Sequence, residues 1–60
     1  MPKGDVYFEH VAISSYAKCS AIDPETGTEV SVMGPVSARP RDLEKLALAK
    51  LRRRLKEKAF

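Results

Sequence analysis

The fold is decided by the stretch Ala17-Lys18-Cys19-Ser20-Ala21-Ile22-Asp23-Pro24-Glu25-Thr26-Gly27-Thr28-Glu29-Val30-Ser31-Val32-Met33. Two alternating runs flank a Pro-Glu-Thr-Gly segment, which is typical of a β-hairpin. Pro24 is preset for the second position of a type I turn, and Asp23 can accept a hydrogen bond from the turn backbone. Gly27 can adopt the positive φ that closes such a loop.

The composition of the two runs fixes how they pair. If Asp23 pairs with Thr28, Ala21 faces Val30, and one side of the hairpin becomes apolar while the other stays mixed. A slip by one residue would invert both sides, so the register is well specified.

Residues 6–13 precede this hairpin and are rich in aromatic and β-branched side chains, which predicts a first strand. A two-residue turn at Ser14-Ser15 would pair Ala12 with Ala17, although neither serine is the Gly or Asn that such turns prefer. This pairing predicts a core face of Val6, Phe8, His10, Ala12, Ala17, Cys19, Ala21, Val30 and Val32. The third strand, 28–33, should end at Gly34-Pro35, because proline cannot continue a ladder.

From Pro40 onward the hydrophobic period changes to that of a helix. The stripe consists of Leu43, Leu46, Ala47, Leu51 and Leu55, spaced by three and four residues. Pro40 suits the first turn, Ser37 is a possible cap, and Asp42 lies near the positive end of the helix dipole. The predicted fold class is therefore α+β: a three-stranded antiparallel meander (6–13, 16–23, 28–33) packed by one C-terminal amphipathic helix (40–58).

The size and composition of the chain limit how it can be stabilised. Sixty residues predict one small domain, 1–60, with residues 1–4 disordered and a marginal core. One cysteine cannot form an internal disulfide, and no Cys/His spacing suits zinc. We therefore expect a cytoplasmic protein without a metal or cofactor, and with no signal peptide or membrane span. Association with a protein partner or with itself is the remaining way to gain stability.

Charge divides the chain into an acidic and a basic part. Residues 1–38 carry two basic and five acidic side chains, a net charge of −3, whereas residues 39–60 carry nine basic and three acidic ones, a net charge of +6. The candidate contacts for a polyanion or an acidic partner are Arg41, Lys45, Arg52, Arg53, Arg54 and Lys56. They could bind nucleic-acid phosphates or an acidic protein, or they could simply form a solvated face that stabilises the helix dipole.

The order of three strands followed by a helix resembles, in topology only, DNA-binding domains that insert a three-stranded sheet into the major groove. Those domains use the sheet face away from the helix. Here that face has Lys18 as its only cation, beside Glu9 and Glu29, which disfavours contact with phosphates. Any nucleic-acid contact should therefore use the helix.

The same outer face of the sheet carries more apolar surface than a solvated sheet usually does. Its candidate self-association residues are Tyr7, Val11, Ile13, Tyr16, Ile22 and Met33. Two alternatives remain open: cross-strand pairs could merely stabilise an exposed sheet, or the first-strand register could differ and place some of these residues in the core.

Catalysis has little support in the sequence. His10 and Cys19 are predicted cross-strand neighbours, but both are expected on the core face, where a thiol is usually inert. The chain has no phosphate-binding glycine loop or Ser-His-Asp arrangement, and its length leaves little room for a ligand pocket. We therefore predict a non-enzymatic protein with no catalytic, cofactor or metal residues and no small-molecule substrate.

The run Tyr16–Pro35 followed by residues 43–51, Leu-Glu-Lys-Leu-Ala-Leu-Ala-Lys-Leu, resembles a family of short uncharacterised bacterial proteins. The resemblance covers residues 6–55 and includes the hairpin core Ile-Asp-Pro-Glu-Thr-Gly-Thr-Glu-Val. It implies a small cytoplasmic bacterial protein with no assigned activity. The resulting prediction is an interaction or structural module, with nucleic-acid binding through the basic helix as the alternative.

Overall fold

The computed structural model describes residues 5–57, in which three strands are followed by one helix. β1 spans Tyr7–Ile13, β2 Tyr16–Asp23 and β3 Thr28–Pro35, and α1 spans Pro40–Glu57. The strands form one antiparallel sheet in the order β1-β2-β3. The predicted α+β class is confirmed. The predictions for residues 1–4 and for residue 58 of the helix lie outside the described residues.

Both predicted registers are confirmed. Ala12 pairs with Ala17 and Asp23 pairs with Thr28, so the alternation of side chains follows the prediction throughout the sheet. Consequently, one face of the sheet is turned towards α1 and the other, which we call the open face, is turned away from it. The alternative of a different first-strand register is excluded.

Local chemistry explains the two turns. In the second turn, the Glu25 backbone amide donates to Asp23 Oδ1 at 3.2 Å, the Gly27 amide donates to the Asp23 carbonyl at 2.8 Å, and Gly27 has a φ of 75°. In the first turn, Ser14 has a φ of 57°, a conformation that non-glycine residues rarely adopt. The first hairpin therefore forms despite an unfavourable turn residue.

The end of β3 corrects the prediction that Gly34-Pro35 terminates the strand. Pro35 is the last residue of β3 and pairs with Tyr16. Because β3 is an edge strand, a proline can join it with its missing N–H directed away from β2, and no ladder hydrogen bond is lost.

The core lies between α1 and the β2–β3 half of the sheet. Its buried apolar residues are Cys19, Ala21, Val30, Leu43, Ala47 and Leu51. Gly34 allows the helix to approach closely, since a Cβ there would lie 2.9 Å from Leu43 Cδ2. The helix packs on β2 and β3 and barely touches β1.

This placement of the helix corrects three further predictions. His10 and Ala12, expected in the core, are exposed because α1 packs mainly on β2 and β3 and reaches His10 only through the Glu44 side chain. Leu46 is 59% exposed, since the buried line follows the four-residue steps Leu43, Ala47, Leu51, and Leu46 lies about 100° away from Ala47 around the helix. Ser37 does not cap the helix.

The helix start itself is as predicted. Pro40 is the first helical residue and Asp42 lies in the first turn. The Arg39 carbonyl accepts from the amides of Asp42 and Leu43 at 3.0 and 3.2 Å, so Arg39, not Ser37, occupies the cap position.

Candidate interaction surfaces

The open face is a grid of four rows, each formed by three cross-strand neighbours. From the Ser14–Ser15 turn outward, the rows are Ile13–Tyr16–Pro35, Val11–Lys18–Met33, Glu9–Ser20–Ser31 and Tyr7–Ile22–Glu29. The first two rows are almost entirely apolar, and the last two contain both carboxylates of the face. Apolar surface is therefore concentrated at the end near the first turn.

Five of the six candidate self-association residues are strongly exposed on this face. The exposed fractions are 58% for Tyr7, 42% for Val11, 53% for Ile13, 56% for Tyr16 and 59% for Met33, whereas Ile22 is half-buried. The structure thus brings all six predicted residues onto one surface, in rows of direct neighbours.

The centre of the open face is polar but satisfied. Ser20, 2% exposed, shares a hydrogen bond with Ser31, with 3.1 Å between the hydroxyl oxygens. Lys18 is half-buried in the neighbouring row, directly between Val11 and Met33. A single cation therefore stands inside the apolar part of the face, with Glu9 on the adjacent strand in the next row.

A shallow cavity of about 450 Å³ opens at the apolar end of the sheet. It is lined by Ser15, Tyr16, Met33, Gly34 and Pro35. The sequence interpretation missed this feature, because ending β3 at residue 33 removed Gly34 and Pro35 from the sheet. The exposed Tyr16 beside a proline was the signal that could have indicated it.

The basic candidates on the helix are all exposed, and they cover more than one side of it. Arg41, Lys45, Arg52 and Lys56 lie within about 60° of one another around the helix axis. Arg53 and Arg54 instead line a small cavity of about 160 Å³ together with Lys50 and Glu57. The exposed cations therefore extend from the Arg41–Lys56 line around one side of the helix to Arg53 and Arg54.

Lys50, which was not among the predicted site residues, lies over the outer edge of β3. Its Nζ donates to the Ser31 carbonyl oxygen at 2.7 Å. This hydrogen bond satisfies a carbonyl on an edge strand, which would otherwise be available to pair with another chain. The spacing of Lys50 from Arg53 and Arg54, three and four residues, was the sequence signal for placing it with them.

The predicted His10–Cys19 neighbours are adjacent in the sheet register, but they have different surroundings. His10 is exposed, and its Nε2 lies 2.6 Å from Glu44 Oε2 on the helix. Cys19 is fully buried. Burial, and to a lesser degree the negative charge of Glu44, raises the pKa of the Cys19 thiol above its ordinary value of 9.0. A thiol held neutral in this way is a poor nucleophile.

Two further features are absent from the part of the chain that the structure describes. Across residues 5–57, no group of three or more His, Cys, Asp or Glu side chains is arranged to hold a metal ion. Over the same residues, no helix has the length and apolar character required to cross a membrane.

These features define a small α+β domain in which one helix covers half of a three-stranded sheet and leaves the opposite face open. The chain belongs to a family described as a domain of unknown function, DUF6898, whose model matches residues 3–59. No curated protein and no protein of known structure gave a significant match to the chain. Membership of an uncharacterised family agrees with the resemblance found in the sequence.

Proposed function

We propose that this protein is a non-enzymatic protein–protein interaction module of a bacterial cytoplasm, and that its docking surface is the open face. The observation that carries the proposal is the exposure of Tyr7, Val11, Ile13, Tyr16 and Met33 on one face of a single sheet. Val11, Ile13, Tyr16 and Met33 lie in two adjacent rows, and monomeric domains rarely expose a large contiguous apolar patch. Aromatic residues and methionine are also enriched in protein interfaces.

The polar pattern of the same face also supports a protein partner. A half-buried lysine within an apolar surface, with carboxylates towards one end, resembles the mixture of apolar core and polar rim found at protein interfaces. Phosphates would meet Glu9 and Glu29 there, which makes the open face unsuitable for nucleic acid.

The arrangement of Cys19 supports the absence of catalysis as part of this proposal. Its thiol is buried and its pKa is raised, and His10 is engaged with Glu44. A nucleophile requires a lowered pKa and access to its substrate.

The proposal is tested by comparing three immobilised baits: the unmodified protein, the double variant Val11→Lys/Tyr16→Lys, and the control Arg53→Glu/Arg54→Glu. Proteins captured from a bacterial lysate by the unmodified and control baits, but not by the open-face variant, are the expected result. Circular dichroism must show that all three are folded. Identical captured proteins for the unmodified and open-face baits would contradict the proposal.

A second candidate function, nucleic-acid binding through α1, is favoured by the exposure of all six predicted cations and by the joint position of Lys50, Arg53 and Arg54 around one cavity. Affinity for a generic duplex or single strand should then fall with salt, with a log–log slope of roughly −0.7 to −0.9 per phosphate contact. Amide shifts on titration should cluster in residues 41–57. Binding unaffected by Arg52→Glu/Arg53→Glu would remove this candidate.

A further inference from the structure

We propose that the occupant of the open face is a second copy of this chain, packed face to face with its strands antiparallel to those of the first. This inference rests on the proposed docking function and specifies its partner. Two helix-covered sheets would then form a symmetric four-layer dimer with both helices outside.

Charge complementarity selects both the partner and its orientation. Two sheets can pack face to face about a two-fold axis that runs either along the strands or across them. An axis along the strands stacks β2 of one copy on β2 of the other, and each row on the same row of the second copy. It therefore places Lys18 over Lys18 of the second copy. Two like charges at the centre of a desolvated interface are strongly unfavourable.

An axis across the strands instead stacks the first row on the fourth and the second row on the third. Lys18 then lies over Ser20 of the second copy, whose direct neighbour in the row is Glu9. Each dimer would contain this Lys18–Glu9 contact twice, and each lysine would gain a carboxylate partner. The rotation of about 30° between packed twisted sheets keeps these neighbours within reach of a lysine side chain.

Two pairs of large apolar residues also match under this arrangement. Ile13 of one copy lies over Tyr7 of the other, and Tyr16 lies over Ile22. The shallow cavity beside Tyr16 and Pro35 then falls at the end of the interface, where it faces the fourth row of the second copy. Within the second and third rows, Val11 lies over Glu9 and Met33 over Ser31, so the apolar contacts of this arrangement are concentrated at its two ends.

The available area indicates how strong the association should be. Three strands of seven to eight residues cover about 15 Å by 25 Å, so two copies bury on the order of 750 Å² together. This is at the lower end for specific interfaces, where complexes are weak and reversible. We therefore expect dimers that dissociate in the micromolar range, in fast exchange with monomers.

The test is sedimentation velocity on the unmodified protein between about 10 µM and 1 mM, followed by Lys18→Glu and Glu9→Lys separately and as an equimolar mixture. The unmodified protein should show a concentration-dependent dimer. Each single variant should raise the dissociation constant at least tenfold, since its dimer places like charges together twice. The mixture should restore dimers, because both contacts then join a lysine to a glutamate.

Controls separate this inference from the function it rests on. Lys18→Glu/Glu9→Lys in one chain should dimerise like the unmodified protein, and Arg53→Glu, on the helix, should leave the dimer unchanged. A monomer at 1 mM, or a mixture that dimerises no better than its components, would overturn the second copy as occupant. The docking function would fail separately, if Val11→Lys/Tyr16→Lys left the captured proteins unchanged.

Discussion

The two edge strands of the sheet, β1 and β3, differ in how much of their surface contacts the helix. α1 packs on one face of β3 and buries Val30. Lys50 also donates a hydrogen bond to the Ser31 carbonyl on the outer edge of β3. β1 barely touches the helix, and six of its seven residues are exposed. The difference indicates that β2, β3 and α1 supply most of the buried core, whereas β1 contributes the half-buried Phe8 to it and mainly supplies exposed surface.

The largest effect is expected from breaking the covered side. Leu51→Asp places a carboxylate without a partner among fully buried residues, and should abolish the cooperative thermal transition. The matched control is Leu46→Asp on the same helix, which is 59% exposed and should change the free energy of unfolding by no more than about 0.5 kcal/mol. A normal transition for Leu51→Asp would refute the packing of α1.

The same substitution, Val→Ala, on each edge strand compares how much β1 and β3 contribute to the free energy of unfolding. Val30→Ala on β3 removes a buried side chain and should lower the free energy of unfolding by about 2 kcal/mol, including the cavity term. Val11→Ala on β1, where 42% of the side chain is exposed, should lower it by about 0.5 kcal/mol or less in the monomer. Urea unfolding at low protein concentration provides both values. Equal losses would mean that β1 is as integral to the core as β3.

The two turns provide a smaller contrast, one for each hairpin. Gly27→Ala should destabilise by about 1 kcal/mol through its φ of 75° alone, because an added Cβ has open space around it. Ser14→Gly, in the β1–β2 turn, should stabilise by a few tenths to about 1 kcal/mol, since it relieves a positive φ. Thermal midpoints that move in the same direction for both variants would contradict this assignment.

The sequence predicted the strand pairing because register depends on local information. The Asp23–Gly27 turn and the alternation around it specify which residues face each other, and the structure follows both. The position of α1 across the sheet depends instead on a close approach at Gly34, where the chain lacks a Cβ against Leu43. No periodic pattern contains that information, so the burial of His10 and Ala12 is wrongly predicted, whereas the exposure of Leu46 follows from its angle of about 100° to Ala47 around the helix.

The candidate surfaces were predictable to different degrees for the same reason. The six candidate self-association residues occupy alternate strand positions whose side chains lie on the same side of the sheet. Strand pairing alone therefore brings them together. The hydrogen bond from Lys50 to the Ser31 carbonyl depends instead on how the helix is rotated against the sheet. A helical wheel gives the angles between the side chains of α1, but it does not show which side of the helix contacts β2 and which contacts β3.

The smallest expected effect concerns the one described side-chain hydrogen bond between β1 and α1, from His10 to Glu44. A double-mutant cycle with His10→Gln and Glu44→Gln should give a coupling energy of about 0.2–1 kcal/mol, because both side chains are more than a third exposed to solvent. A coupling of 2 kcal/mol or more would show that α1 anchors β1 as firmly as β3, and would remove the distinction between the two edges.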